Sequence, residues 1–147
     1  MAQLSCAINH TAKSLGSIAD LNNIDIEACI AEGNLPFGIG VVQGSSDRQA
    51  KLCVAGSAPL GVVVRGQGHP NDQVEDVLSG QKIGVMRKGR VVVEATGAVA
   101  KEAPAYMIVT VGATQGKFTA TAGSNLLVGK FAETISGAGN VIVNLDL

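Results

Sequence analysis

The 147-residue sequence contains no tryptophan, one tyrosine and three phenylalanines. A platform for single-stranded nucleic acid needs exposed rings on which bases stack, so the scarcity argues against one. It argues equally against an aromatic-lined groove for sugars or peptides. Charge is scarce as well: only 16 % of the residues are Asp, Glu, Lys or Arg, against about a quarter in ordinary globular chains. The net charge of −1 gives no global attraction to nucleic acid or to anionic membranes. A near-neutral surface also repels neither its own copies nor a protein partner.

Cysteine is sparse and odd in number. Cys6, Cys29 and Cys53 are widely spaced, with no CxxC or Cys/His ligand pattern. Neither a zinc site nor a disulfide framework is indicated, and the three read as small apolar side chains in a reducing cytoplasm. The start, Met1-Ala2-Gln3-Leu4-Ser5-Cys6, lacks a basic region followed by an apolar run, so no secretory signal is read. No apolar stretch reaches the roughly 18 residues of a membrane-spanning helix.

What is abundant is aliphatic and small: 46 % of the residues are hydrophobic, and 19 are glycine. Valine-rich runs between glycine-rich breaks suit short strands and tight turns. Alternation begins at Ile24, with Ile26, Ala28 and Ile30 expected on the buried face and Asp25, Glu27 and Cys29 on the other. Further strands follow Pro36, at 51–54, at 60–65, at 105–111 and near Phe118. Leu126–Ile135 forms one more, and Val141–Leu147 closes the series with clean alternation. The segment 74–78 reads as a short helix or an extended approach.

The pattern predicts one all-β domain over 21–147, a small β-barrel or sandwich of short antiparallel strands. Residues 1–20 lack periodicity and read as an extended N-terminal arm that orders against a partner. The clearest unit is 81–96, where two β-rich runs flank Lys88-Gly89 and predict a tight hairpin.

No catalytic constellation is visible, and the chain is read as non-enzymatic. His10 and His69 sit in polar surroundings, and neither a GxSxG elbow nor a P-loop occurs. Asp25 and Glu27 at i, i+2 resemble a glycosidase pair, yet such spacing is usually a solvated strand face. Asp72, Glu75 and Asp76 lack the spacing of a calcium loop and read as a polar loop. No cofactor or metal is called for. One charge cluster stands out: Lys82, Arg87, Lys88 and Arg90, with no acidic residue between Gln81 and Val93. It is either a solvated turn or a docking point for an acidic protein surface, with nucleic acid a distant third.

Several stretches occur in a telling order. Gly16-Ser17-Ile18-Ala19-Asp20 is followed by Pro36-Phe37-Gly38 opening a valine-rich strand, then by Leu60-Gly61-Val62-Val63-Val64-Arg65. Val85-Met86-Arg87-Lys88-Gly89-Arg90-Val91-Val92-Val93-Glu94 comes next, then Gly97-Ala98-Val99, and Val141-Ile142-Val143-Asn144-Leu145 ends the series. In this order they resemble the structural cement (capsid decoration) protein family of tailed phages, from residue 16 to the end. Lys101-Glu102-Ala103-Pro104-Ala105-Tyr106 departs from the pattern, where a Gly-Asp turn is expected.

The resemblance implies a virion protein on the outer surface of the capsid, made in the host cytoplasm, with the major capsid protein as partner. It also implies a homotrimer or homodimer and no nucleic-acid or membrane partner. Expected capsid-contact residues are Lys82, Arg87, Lys88 and Arg90, joined by Lys13 and Ile18 from the arm. A tail or fibre β-sandwich and a small ligand-binding β-barrel are the alternative readings.

Overall fold

A computed structural model of the chain describes residues 14–65 and 77–147, the side chains of 20–22 excepted. Lys13, both histidines, Cys6 and the acidic run Asp72, Glu75 and Asp76 lie outside the described residues. Within them the protein is all-β, as composition and periodicity predict. The strands are β1 (Ile18–Ala31), β2 (Gly40–Gln43), β3 (Gln49–Leu52), β4 (Pro59–Val64), β5 (Lys82–Ala95), β6 (Pro104–Met107), β7 (Phe118–Thr119), β8 (Leu126–Phe131) and β9 (Gly139–Asp146).

All belong to one mixed sheet of order β1-β3-β2-β4-β5-β7-β6-β8-β9, with further pairings β1–β5 and β5–β9. These last two pairings fold the sheet back on itself. The strands β1, β3, β2, β4 and β5 close one circuit, and β5, β7, β6, β8 and β9 close a second. The strand β5 belongs to both. Most neighbours run antiparallel, but β1–β3 and β5–β7 are parallel, and β1 and β5 are each 14 residues long.

The predicted hairpin at Lys88-Gly89 does not form. The strand β5 runs straight through, and Gly89 takes φ 124° inside it. Against β1, Lys88 faces Asp25 while Met86 faces Ile26, so Arg87 is an extra residue on β5: a β-bulge. A glycine at positive φ serves a tight hairpin and a bulge alike, which is why the local sequence does not distinguish them.

The bulge has a packing consequence. Before it, Ile83 and Val85 enter the first core with Cys29, Ala31, Leu35, Phe37, Val41 and Val63. After it, Val91, Val93 and Ala95 enter the second core with Phe118, Phe131 and Val143. The odd-numbered side chains of β5 thus point into the first core before the bulge and into the second after it. Met86, on the opposite face before the bulge, already packs in the second core. The strands β2 and β4 are buried on both faces: Val41 and Val63 face the first core, Val42, Val62 and Val64 the second. That explains their unbroken valine runs.

Two further expectations change. On β1, Ile26 and Ile30 are exposed, at 41 % and 37 %, whereas Cys29 and Ala31 are buried. The small side chains point into the first circuit, so hydrophobicity alone assigns the faces the wrong way round. At the start, Ile18–Asp20 already belong to β1. Gly16 donates its N–H to the Val92 carbonyl, and the Arg65 N–H donates to Gly16. Residues 14–20 are therefore hydrogen-bonded into the sheet. Val77 meets Leu35 in an isolated antiparallel bridge, so that end of 74–78 is extended.

Candidate interaction surface

The segments that carry the family resemblance converge in space. The Arg65 guanidinium lies 4.4 Å from the Phe37 ring centroid, and its Nε donates to the Leu15 carbonyl at 2.7 Å. The Gly38 N–H donates to Val63, beside Gly16. This junction ties the start of the chain to β4 and β5.

The charged residues of β5 do not gather at a tip. Lys82 starts the strand opposite Ile30, and at about 3.3 Å per residue it lies ~20 Å from Lys88. Arg87, at the bulge, is half-buried, and its buried Nε has no hydrogen-bond partner. Lys88 and Arg90 remain together, both exposed and both on one side of β5. Ile18 is half-buried, packed on the second core and paired with Val91.

Register supplies what sequence separation hides. Lys88 pairs with Asp25 on β1 and with Asp146 on β9; Arg90 pairs with Asp20 and with Asn144. Between those two β1 pairs the strand runs through 21–24 while β5 contributes only Gly89, and Asn23 takes φ 54°. This wide bulge opens a groove of about 690 Å³ lined by Asn23, Ile24, Asp25, Lys88, Arg90 and Asp146, among others. Arg90 continues into a smaller hollow with Lys101, Glu102 and Lys130. Beyond it a second groove of about 530 Å³ runs past Leu127, Asn144 and Asp146.

The result is one extended face carrying Lys88, Arg90, Lys101 and Lys130 interleaved with Asp25, Glu102 and Asp146. Sequence reasoning misses Lys101, Lys130 and Asp146: the β8–β9–β5 register brings Lys130 beside Arg90 and Asp146 beside Lys88, and the turn before β6 brings Lys101 to the same hollow. The cations stay free to meet a partner: the ion pair seen among the described residues is Lys117–Glu94, at 3.1 Å.

The face presents charges of both signs to solvent. No group of His, Cys, Asp or Glu among the described residues is placed to hold a metal ion. Cys53 is buried, and its Sγ donates to the Ile108 carbonyl at 3.0 Å. Burial pushes that thiol up to about 11, so near neutral pH it is a protonated packing group. Its protonated state favours the fold fully below pH 9, and that contribution falls as pH rises towards 11. Cys29 is likewise raised, chiefly by burial and further by the nearby Glu27 carboxylate.

Comparison with known proteins agrees. A chain of the solved structure "The capsid of Myoviridae Phage XM1" superposes with a TM-score of 0.73, over 92 % of each chain, at 19 % identity. At that identity the likeness speaks for the fold. Among curated proteins none matches. The profile of the structural cement proteins (E217 gp24/Pam3 gp6) matches residues 3–147. That match spans nearly the whole chain, which therefore belongs to the structural cement protein family and is a capsid-stabilising structural protein.

Proposed function

We propose that this protein binds the outer surface of the expanded phage capsid, bridges neighbouring capsomers of the major capsid protein, and does so as a self-associated homo-oligomer without enzymatic activity. The observation that carries the reading is the family match over residues 3–147, joined to a charged outer face that makes few internal ion pairs. The mechanism is mass action. A ligand that binds only the expanded shell stabilises it by RT ln(1 + [L]/Kd) per site, against the outward pressure of packaged DNA.

The alternating charges of the face select a partner with the opposite pattern, because like charges brought together are penalised. Lys88 and Arg90 are its proposed centre. Lys82 and Arg87 belong to the proposal only as outlying contacts, since Lys82 lies at the far end of β5 and Arg87 is half-buried at the bulge. The ligand-binding barrel is the weaker reading: Phe118, Phe131, Met86 and Met107 fill the second core, and the grooves lie outside it.

Co-sedimentation with expanded capsids and with unexpanded procapsids, followed by heating, tests the proposal. Saturable binding to the expanded form, with a raised disruption temperature, is expected; binding to neither form removes the cement role. The double variant Lys88→Glu/Arg90→Glu is expected to weaken attachment about tenfold, equivalent to ~1.4 kcal/mol. Unchanged affinity would acquit those two residues while leaving cementing intact. Residues 1–13 are proposed to reach a neighbouring subunit; equal attachment by a chain lacking them sinks that part. The truncation stops before Gly16 because the following residues are hydrogen-bonded into the sheet.

A further inference from the structure

Arg90, Asn144 and Lys130 form a row across three adjacent strands. Arg90 pairs with Asn144 between β5 and β9, and Asn144 pairs with Lys130 between β9 and β8. Residues in register across a sheet put their side chains on one face, and strands lie about 4.8 Å apart, so the two cations are rooted ~10 Å from each other. The turn before β6 adds Lys101 and Glu102 to the same hollow, which has a volume of about 60 Å³. Backbone bonds fix that turn: the Lys101 N–H donates to Thr134 Oγ1 at 2.9 Å, and the Glu102 N–H to the Phe131 carbonyl at 2.8 Å. The charge of the hollow does not balance. Arg90, Lys101 and Lys130 line it against the single carboxylate of Glu102, and no ion pair among the described residues joins any of the four. The larger groove alongside is balanced, with Lys88 and Arg90 against Asp25 and Asp146.

We propose that this hollow receives the carboxylate of one aspartate or glutamate side chain presented by the major capsid protein. The inference rests on the capsid-binding reading above and names what the partner places here. An incoming carboxylate meets three attractions and one repulsion, whereas an incoming ammonium group meets the reverse. The guanidinium of Arg90 presents a planar fork of N–H donors that matches a carboxylate in two parallel bonds. The lysines add point charges, and the Asn144 amide adds a neutral donor. The volume suits such a group as well: it has room for a few waters, which is the scale of a carboxylate head and too small for a ring-sized ligand. Because the backbone around it is already hydrogen-bonded, little ordering of the chain is needed on binding. The balanced groove carries no such preference of sign, so the hollow is where the face discriminates an acid from a base.

Co-sedimentation of the full chain with expanded capsids tests the inference with four proteins: wild type, Lys101→Gln/Lys130→Gln, Glu102→Gln and Arg48→Gln. The control Arg48 is exposed in the turn before β3, on the first circuit. The double variant is expected to weaken attachment about tenfold and to flatten the fall of affinity with salt. Glu102→Gln removes the one repulsion and is expected to tighten attachment about threefold, while Arg48→Gln matches the wild type. Unchanged attachment by the double variant overturns the inference. Weaker attachment by Glu102→Gln overturns it too, because the capsid would then present a cation. A second measurement reads the hollow without the capsid: titration of the free protein with acetate at constant ionic strength, followed by amide chemical shifts. Saturable shifts at Lys130 and Asn144 are expected in the wild type and not in the double variant; their absence from the wild type removes the carboxylate site. A wild type that attaches to no capsid overturns the cement reading and the named partner together, and saturable acetate shifts would then show that the site itself stands.

Discussion

Replacing Phe118 with alanine is expected to destabilise the protein by about 3–5 kcal/mol. The side chain is fully buried in the second core. It sits on the shortest strand, β7, which has just two residues. There Phe118 pairs with Ala95 of β5 and with Met107 of β6. It therefore stands at the seam that closes the second circuit, where few backbone bonds remain if the ring is lost. A domain of this kind has a net stability of only about 5–15 kcal/mol, so the change removes a large part of it. Urea unfolding measures it, with Leu127→Ala as the control: Leu127 is 55 % exposed and its loss is expected to stay within about 0.5 kcal/mol. Equal midpoints for the two variants would show that Phe118 is not a closing element.

A comparable loss, about 3 kcal/mol, is expected from adding one methyl group at Gly61. A Cβ there would lie 2.2 Å from the Met86 carbonyl oxygen and 2.8 Å from a Val85 methyl. The obstacle is the backbone of β5 itself, which cannot step aside as the end of a flexible side chain can. The β2–β4 register also shifts just there: Val41 faces Gly61, while Val42 faces Pro59. Gly97→Ala is the matched control, because nothing lies within 4 Å of its added carbon; its melting temperature is expected to stay near that of the wild type. A Gly61→Ala protein that melts with the wild type would mean that β4 and β5 pack less closely than described.

Those two sites mark what the sequence conveys and what it withholds. The all-β class is legible because it depends on local alternation, and β9 shows this best: Val141, Val143 and Leu145 are buried while Asn144 and Asp146 are exposed. The pairing of β5 is not legible. Lys88-Gly89 satisfies the chemistry of a turn, and only partners far along the chain, β1 and β9, hold the strand straight through it. The face of β1 misleads for a related reason. Ile26 and Ile30 look like core residues, but the first circuit takes the smaller Cys29 and Ala31 instead. At the departure from the family pattern, the chain turns after Lys101 with Glu102 at φ 72°, a conformation in which glycine is usual. The candidate face is the least legible feature. Lys88 and Arg90 are visible as a pair, but Asp25, Lys130 and Asp146 join them only through sheet register, and Lys101 only through the turn that precedes β6.

The double membership of β5 has a mechanical meaning for a protein that holds a shell together. Tension entering through one circuit passes to the other along the covalent backbone of a single strand, not across a seam between two modules. A load directed along β5 would have to slide it lengthwise past β1 and β9, which sets many hydrogen bonds in shear at once. Peeling would break them one at a time. A clamp of this design yields late and all together.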